Sequence, residues 1–425
     1  MAVVQARIAI LEDSRGKVLV ILPEQQLLHL ALLNHSYQRA LKAAQVGQVK
    51  KIFVPTLVRQ AQFMDKLLSL PLILDHALKD ADVLAIYEPI SGLRFELERS
   101  RLTHAQVFRF ALTPHQIDSR LPTQDDEQAI LLAVDRFTSL RIKERLADTL
   151  EIPPLPLTAQ KIIMLSSNQE AGANELVPLV EADPSLAAQV ISWASSPYYA
   201  APGRVQSVKD AIVRVLGFDL VMNLALGLAL NKTLKVPADV PQGVDSYWTQ
   251  AVCCATAMEA LVKVMPPARR PSAGMSYLAG LLHNFGYLVL AHVFPPHFSL
   301  INRYLECNLN LASHYVEKQV LGVTREQVGA WLLQCWQLPE EVWTGMRHMH
   351  NSDYRGSHQE YAHLLNLALS LLREQGIGHV PGESTDEVLF ELLGLEPELC
   401  RDAIRHLLDE REQLNLIAER LSLSA

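Results

Sequence analysis

The stretch GLLHNFGYLVL (280–290) sets an imidazole, His283, directly before an amide, Asn284, inside an otherwise apolar run. Two more imidazoles, His348 and His350, flank Met349 in MRHMHNSD (346–353). Imidazole nitrogens are common metal ligands, and a divalent ion held by such groups makes hydroxide from water near neutral pH. That chemistry also needs negative charge to offset stripping the ion's water. Asn284 can hydrogen bond but carries none. Other catalytic signatures are missing, since no GxGxxG opens a helix and there is no GxxxxGK[ST], HExxH or GxSxG. Cys253-Cys254 falls in an amphipathic helical stretch and reads as packing, because adjacent helical residues point about 100° apart.

The elements that must position these residues divide the chain in two. Up to residue 112 there are short apolar or alternating runs: KVLVILP (17–23), KKIFVP (50–55), PLILDHAL (71–78), DVLAIYEP (82–89) and GLRFELERSRL (92–102). Leu93, Phe95 and Leu97 alternate with Arg94, Glu96 and Glu98, the pattern of a strand with one face in a core and one in water. QQLLHLALLNHSYQRALKAA (25–44) has helical spacing, which makes this part a small α/β domain. From Thr123 to Leu150 the spacing predicts one connecting helix, with Thr123 as N-cap and Asp126 as its partner, closed by the prolines of IPPLPLT (152–158).

Beyond residue 158 the periodicity is almost wholly helical. Asp183-Pro184, Ser207 with Asp210, Thr324 with Gln327, and Pro339-Glu340-Glu341 are helix starts, and Gly217 is a helix stop. AHVFPPHF (291–298) reads as a helix end and a sharp turn. All five tryptophans (193, 248, 331, 336, 343) lie here, which predicts a large helical core.

Length and composition fit this division. At 425 residues two or three domains are expected. No segment reaches the roughly 18 uninterrupted apolar residues of a membrane helix, and the opening MAVVQARIAILEDSRG does not read as a secretory signal. Five cysteines without CxxC spacing agree with a reducing compartment, so the cytoplasm is the expected location. Residues 1–120 carry 15 basic and 11 acidic side chains, leaving 23 and 35 for the rest. An excess of +4 followed by one of −12 argues against a phosphate-backbone binder, and no nucleic-acid partner is expected.

The order of signals in 152–375 resembles the HDOD domain, a helical relative of the HD and HD-GYP metal-dependent phosphohydrolases usually found in bacterial signalling proteins. The stretches that carry it are IPPLPLTAQKIIMLSSNQEAGANELVPLVEADPSLAAQVISWASSPYY (152–199), SVKDAIVRVLGFDLV (207–221), YWTQAVCCATAMEAL (247–261), YLAGLLHNFGYLVL (277–290), LGVTREQVGAWLLQCWQLPEEV (321–342) and MRHMHNSD (346–353). The resemblance implies His and Asp side chains on several helices converging on metal. Laid on that pattern, the ligand positions read Gln250, His283, Asn284, Arg325, Met349-His350 and Asn366. Both carboxylates have become amides, and Arg325 puts a fixed cation where a cation was meant to bind, so no metal and no cofactor are expected. His283 and His350 then read as hydrogen-bonded core histidines. His348 turned inward could still trap a stray transition metal with either of them.

Less fully, residues 17–112 resemble the aminoacyl-tRNA editing domain of the YbaK and prolyl-tRNA deacylase type. The resemblance rests on LLHLALLNHSYQRALKAA (27–44) and LPLILDHALKDADVLAIYEPISGLRFELERSRL (70–102). VGQVKKIFVPTLVRQ (46–60) lacks that family's glycine-containing Ser-Pro loop. Lys50 and Lys51, at the start of an apparent strand, read as solvated flank residues.

The expected architecture is α+β. A small α/β domain with a mixed sheet (1–112) and a linker helix (113–151) precede a large all-α HD-like domain (152–425). The expected function is that of a non-catalytic bacterial signalling protein with a degenerate metal pocket, which recognises a protein partner or a small signalling ligand. The alternatives are a metal-dependent phosphohydrolase or phosphodiesterase and, in the front domain, an aminoacyl-tRNA deacylase.

Overall fold

Residues 3–58, 61–113, 116–117, 125–138, 150, 152–166, 168, 170–196, 199, 203–378, 385–409 and 411–424 are described by the computed structural model. The architecture is α+β, with a mixed sheet at the front and helices behind. The sheet is built on an antiparallel ribbon of β1 (Val3–Asp13) and β2 (Gly16–Pro23). Its tight connection ends on Gly16 at φ +112°, a backbone region that a Cβ disfavours. β6 (Val83–Glu88) joins β1 in parallel and carries β7 (Leu93–Glu98) antiparallel outside it. On the other side β5 (Leu72–Asp75) joins β2 in parallel, and β8 (Gln106–Phe108) joins β5. β7 shows the anticipated alternation, with Arg94, Glu96 and Glu98 exposed and Leu93, Phe95 and Leu97 at least partly buried.

KVLVILP is a continuous apolar run because β2 is covered on both faces. Leu19 and Ile21 face a local core with Ile8, Ile10, Val49, Phe53 and Phe63. Val18, Val20 and Leu22 join the core that runs through the helical part of the chain. The period of two along one strand thus glues the front unit to the helices behind it.

Arg7 of β1, paired with Leu22, projects into this junction and is 1% exposed. Its guanidinium donates to the carbonyls of Cys307 at 3.1 Å and Gln26 at 3.2 Å and to Asn308 Oδ1 at 2.6 Å. Asn308 also pairs with Leu28 as a strand would, accepting from its N–H at 2.7 Å and donating to its carbonyl at 3.1 Å.

Several local expectations give way to tertiary context. KKIFVP is no strand: Val46–Ile52 and Pro55–Val58 are helices, and Lys50 and Lys51 sit in a last helical turn, where cations are favoured. A short apolar run does not by itself tell strand from helix. Within 25–44 only Leu30–Tyr37 is helical. The chain turns at Gln38 (φ +53°), held by Asn34 bonding both backbone groups of Leu41, and Lys42–Ala43 then pairs with β1 as a short strand, β4.

The connecting helix runs Asp126–Phe137 with Asp125 as its cap, accepting from Gln128 N–H at 2.8 Å, and it ends at Thr138 in extended backbone. The expected single helix to Leu150 is therefore not formed; Thr123, the expected cap, lies outside the described residues, as do 139–149. Nor is this helix a free tether. The Asp126 carboxylate accepts from Gln327 Nε2 at 2.9 Å and is paired with Arg347.

In the helical part the local punctuation holds. Asp183 accepts from the N–H groups of Ser185 and Leu186, Thr324 and Gln327 close a reciprocal box, and Gly217 ends the helix begun at Ser207 with φ +81°. The acidic half at Ser207 differs slightly, since Asp210 takes the Gln206 N–H. Trp193, Trp248 and Trp331 are buried, and Trp336 and Trp343 pack against the same core. Cys253, Cys254, Cys307 and Cys400 are buried thiols. Among the described residues no helix is long and apolar enough to cross a membrane.

Candidate functional site

His283 and Asn284 occupy the two-residue break between helices Ala273–Leu282 and Phe285–Val293, and each is only 4% exposed. The imidazole Nδ1 lies 2.7 Å from the carbonyl of Gly280. A carbonyl only accepts, so Nδ1 carries the proton and Nε2 is the lone-pair nitrogen.

What meets this corner is fixed by glycines. A Cβ on Gly286 would lie 1.8 Å from the carbonyl oxygen of Arg325, and one on Gly329 would lie 2.9 Å from the Gly286 nitrogen. Helices Phe285–Val293 and Arg325–Cys335 therefore touch backbone to backbone at their first turns, which sets Arg325 against Asn284. Gly286→Ala is expected to destabilise the protein by about 2–3 kcal/mol through forced separation of the two helices, measured as a lower urea midpoint.

The Arg325 guanidinium donates from one terminal nitrogen to Asn284 Oδ1 at 2.9 Å and from Nε to Glu317 Oε1 at 2.5 Å. Its backbone N–H donates to the other oxygen of Glu317 at 2.8 Å, and Glu317 is fully buried. Beside them His350 Nε2 lies 3.3 Å from Glu326 Oε1, but His350 is exposed and not the core histidine expected. Burial pushes the Glu317 carboxyl up, and Arg325 pulls against it. Burial likewise opposes ionisation of Glu326, yet His350 and Arg325 win there and hold it well below the usual carboxylate range. The guanidinium keeps its charge because Glu317 and Glu326 more than offset its burial.

His283, Asn284, Arg325, Glu326 and His350 line a cavity of about 70 Å³ together with Gln250, Met349 and Arg373, room for about two waters. Glu317 stands behind Arg325, outside the lining. Gln250 is turned partly aside, donating to the Asp245 carbonyl at 2.7 Å. Of the positions implied by the sequence, Gln250, His283, Asn284, Arg325, Met349 and His350 converge. Asn366 does not line the cavity; its Oδ1 accepts from Ser370 Oγ on its own helix, Gln359–Glu374, whose later residues Leu369, Leu372 and Arg373 form the wall. His348 does not turn inward but stacks on Tyr354, with ring centroids 3.7 Å apart.

The sequence reading missed Glu317 and Glu326, and its expectation that no negative charge remains is corrected: two buried carboxylates are present. Glu326 looks in sequence like an ordinary acid in a first helical turn, and nothing in HYVEKQ marks Glu317 for burial. Glu317 is bonded to Arg325, while Glu326 has the His350 imidazole at 3.3 Å. Among the described residues no group of three or more His, Cys, Asp or Glu side chains is arranged to hold a metal. The lining does not fit a divalent ion, because the Arg325 guanidinium takes up Asn284 Oδ1 and Glu317 Oε1 and sets a fixed positive charge in the cavity wall.

Burial, aided by Arg325 and His350, lowers the His283 pKa to about 4. Below about pH 6.5 the unfolded chain protonates this imidazole while the folded chain does not, so its contribution to stability falls as pH drops from about 6.5 to 4. His283→Gln should remove about one proton from the acid slope of the urea midpoint; an unchanged slope would show that His283 titrates normally.

Comparison with known proteins bears on this geometry. The HDOD domain family model matches residues 152–352. A crystal structure from Marinobacter aquaeolei VT8, of a protein provisionally assigned to signal transduction, is 40% identical with a TM-score of 0.88, covering 98% of this chain and 93% of that one. A structure from Shewanella amazonensis SB2B, provisionally assigned as a phosphohydrolase, is 20% identical with a TM-score of 0.51, covering 69% and 98%, and shows a shared fold. An uncharacterized curated protein of Treponema pallidum (strain Nichols) is 24% identical over 253 residues, 58% of this chain and 48% of its own length, so the chain spans about half of that relative. The helical architecture and these matches together identify an HDOD domain in residues 152–352 of the chain.

Proposed function

We infer that the chain is a non-catalytic regulatory protein of bacterial signal transduction, in which the site of a metal-dependent hydrolase survives as architecture. The observation that carries this reading is Arg325, whose guanidinium bonds Asn284 and Glu317 and places a fixed positive charge in the cavity wall, where a divalent ion would have to bind. A bound ion's structural work, tying oxygens of separate elements together, is taken over by a side chain that cannot activate water. Function then rests on recognition, through grooves and apolar surface offered to a protein partner or a small signalling molecule.

A phosphodiesterase is the competing reading, favoured by the lone-pair nitrogen of His283 beside the cavity. Hydrolysis of bis(p-nitrophenyl) phosphate with added Mn²⁺ tests it. The expected rate equals that of buffer with Mn²⁺, and turnover that His283→Ala abolishes would reverse the assignment. The deacylase reading of the front unit is tested on mischarged tRNA with the full chain, where no release of amino acid is expected.

A further inference from the structure

The front unit holds a second cavity, of about 400 Å³, between the start of β2 and the helices Val46–Ile52 and Ala61–Leu68. Three lysines, Lys17, Lys51 and Lys66, share its lining, and among the described residues no Asp or Glu does. Lys17 has Glu12 at 3.8 Å, while Lys51 and Lys66 make no ion pair among the described residues. The rest of the wall is largely apolar, from Ile52, Phe63 and Leu67, with Phe63 set edge-on against Phe53 and Phe95. Asp65, on the same helix as Lys66, is turned to Arg101 at 2.8 Å, away from Lys66.

We propose that this cavity binds a small phosphorylated molecule with a flat or apolar body, of the mononucleotide class. Lys51 and Lys66 bring two like charges, unpaired among the described residues, to one concavity with Lys17 beside them, and a phosphoryl dianion answers them better than a single carboxylate. The volume lies within the roughly 300–1,000 Å³ of small-molecule sites, and the apolar wall supplies contact for a base that free phosphate cannot use. A ligand here touches Lys51 and Ile52 at one end of a helix whose first residue packs on the helical unit, since a Cβ on Gly243 would lie 3.3 Å from Val46 Cγ2. The site is separate from the His283 cavity, and the proposal does not rest on the reading of that cavity.

Calorimetry on the full chain at low salt, with AMP as the probe and inorganic phosphate and adenosine as its two halves, tests the proposal. AMP is expected to bind at least ten-fold more tightly than either half. Lys51→Gln with Lys66→Gln should weaken AMP at least ten-fold while leaving the unfolding midpoint unchanged, because both side chains are exposed. AMP binding no tighter than phosphate would overturn the proposal. So would full-strength AMP binding by the double variant, or binding that is lost in His283→Ala instead.

Discussion

Arg325→Ala is expected to cost about 3–5 kcal/mol of stability, the usual penalty for removing one partner of a buried ion pair. The loss exceeds that of a deleted surface bridge because Glu317 is fully buried and takes two side-chain and backbone donors from Arg325. Without the guanidinium a buried carboxylate stands uncompensated and Asn284 Oδ1 loses its donor. The sign of the pH dependence separates this from simple loss of packing. An unpaired buried Glu317 takes up a proton more readily in the folded than in the unfolded chain, so the penalty is full at pH 7 and shrinks as pH falls towards 5. Arg325→Met combined with Glu317→Gln, which removes both charges at similar volume, should cost less than Arg325→Ala alone. Urea unfolding at pH 7 and pH 5 reads all of these, and a pH-independent loss below about 1 kcal/mol would show that the pair is not the clamp described.

The second large effect is expected at the junction of the two units. Asn308→Ala should destabilise the protein by about 4 kcal/mol, because it strips a partner from a buried cation and leaves both backbone groups of Leu28 unpaired. Burial lowers the Arg7 pKa to about 10, and the charge stays in place through the acceptors that surround it. All five tryptophans lie in the helical unit, so their fluorescence in urea reports that unit, while proteolysis in β1 and β2 reports the front one. Asn308→Ala is expected to expose the front unit to protease before the tryptophans respond. Asn310→Ala, which removes one bond to the Glu24 carbonyl at the margin of the same junction, should cost only about 1 kcal/mol.

Much of this was legible in the chain because its causes are local. The Thr324–Gln327 box and the Asp183-Pro184 start need only residues three or four apart, and both form as read. The alternation in 93–98 gave the outer strand for the same reason. Segments whose state depends on distant partners were not legible. KKIFVP ends a helix instead of forming a strand because Val49 and Phe53 fill the core under β1 and β2, and β1 itself, central in the sheet, is absent from the strand runs singled out in the sequence.

The site divides along the same line. His283, Asn284, Arg325 and His350 could be paired across 67 residues because a familiar order of motifs linked them. Glu317 and Glu326 belong to no motif, and their burial is decided by how three helices cross, as is the turn of His348 towards Tyr354. The conclusion drawn from counting amides thus needs a different footing: carboxylates remain, and a resident cation answers one of them.

The most direct measurement is the metal content of the full chain purified without chelator, taken on wild type and on His283→Ala. The account predicts far less than one Mn, Fe or Zn per chain, unchanged by the substitution. One tightly bound ion per chain, lost together with phosphodiester hydrolysis when His283 is removed, would contradict it.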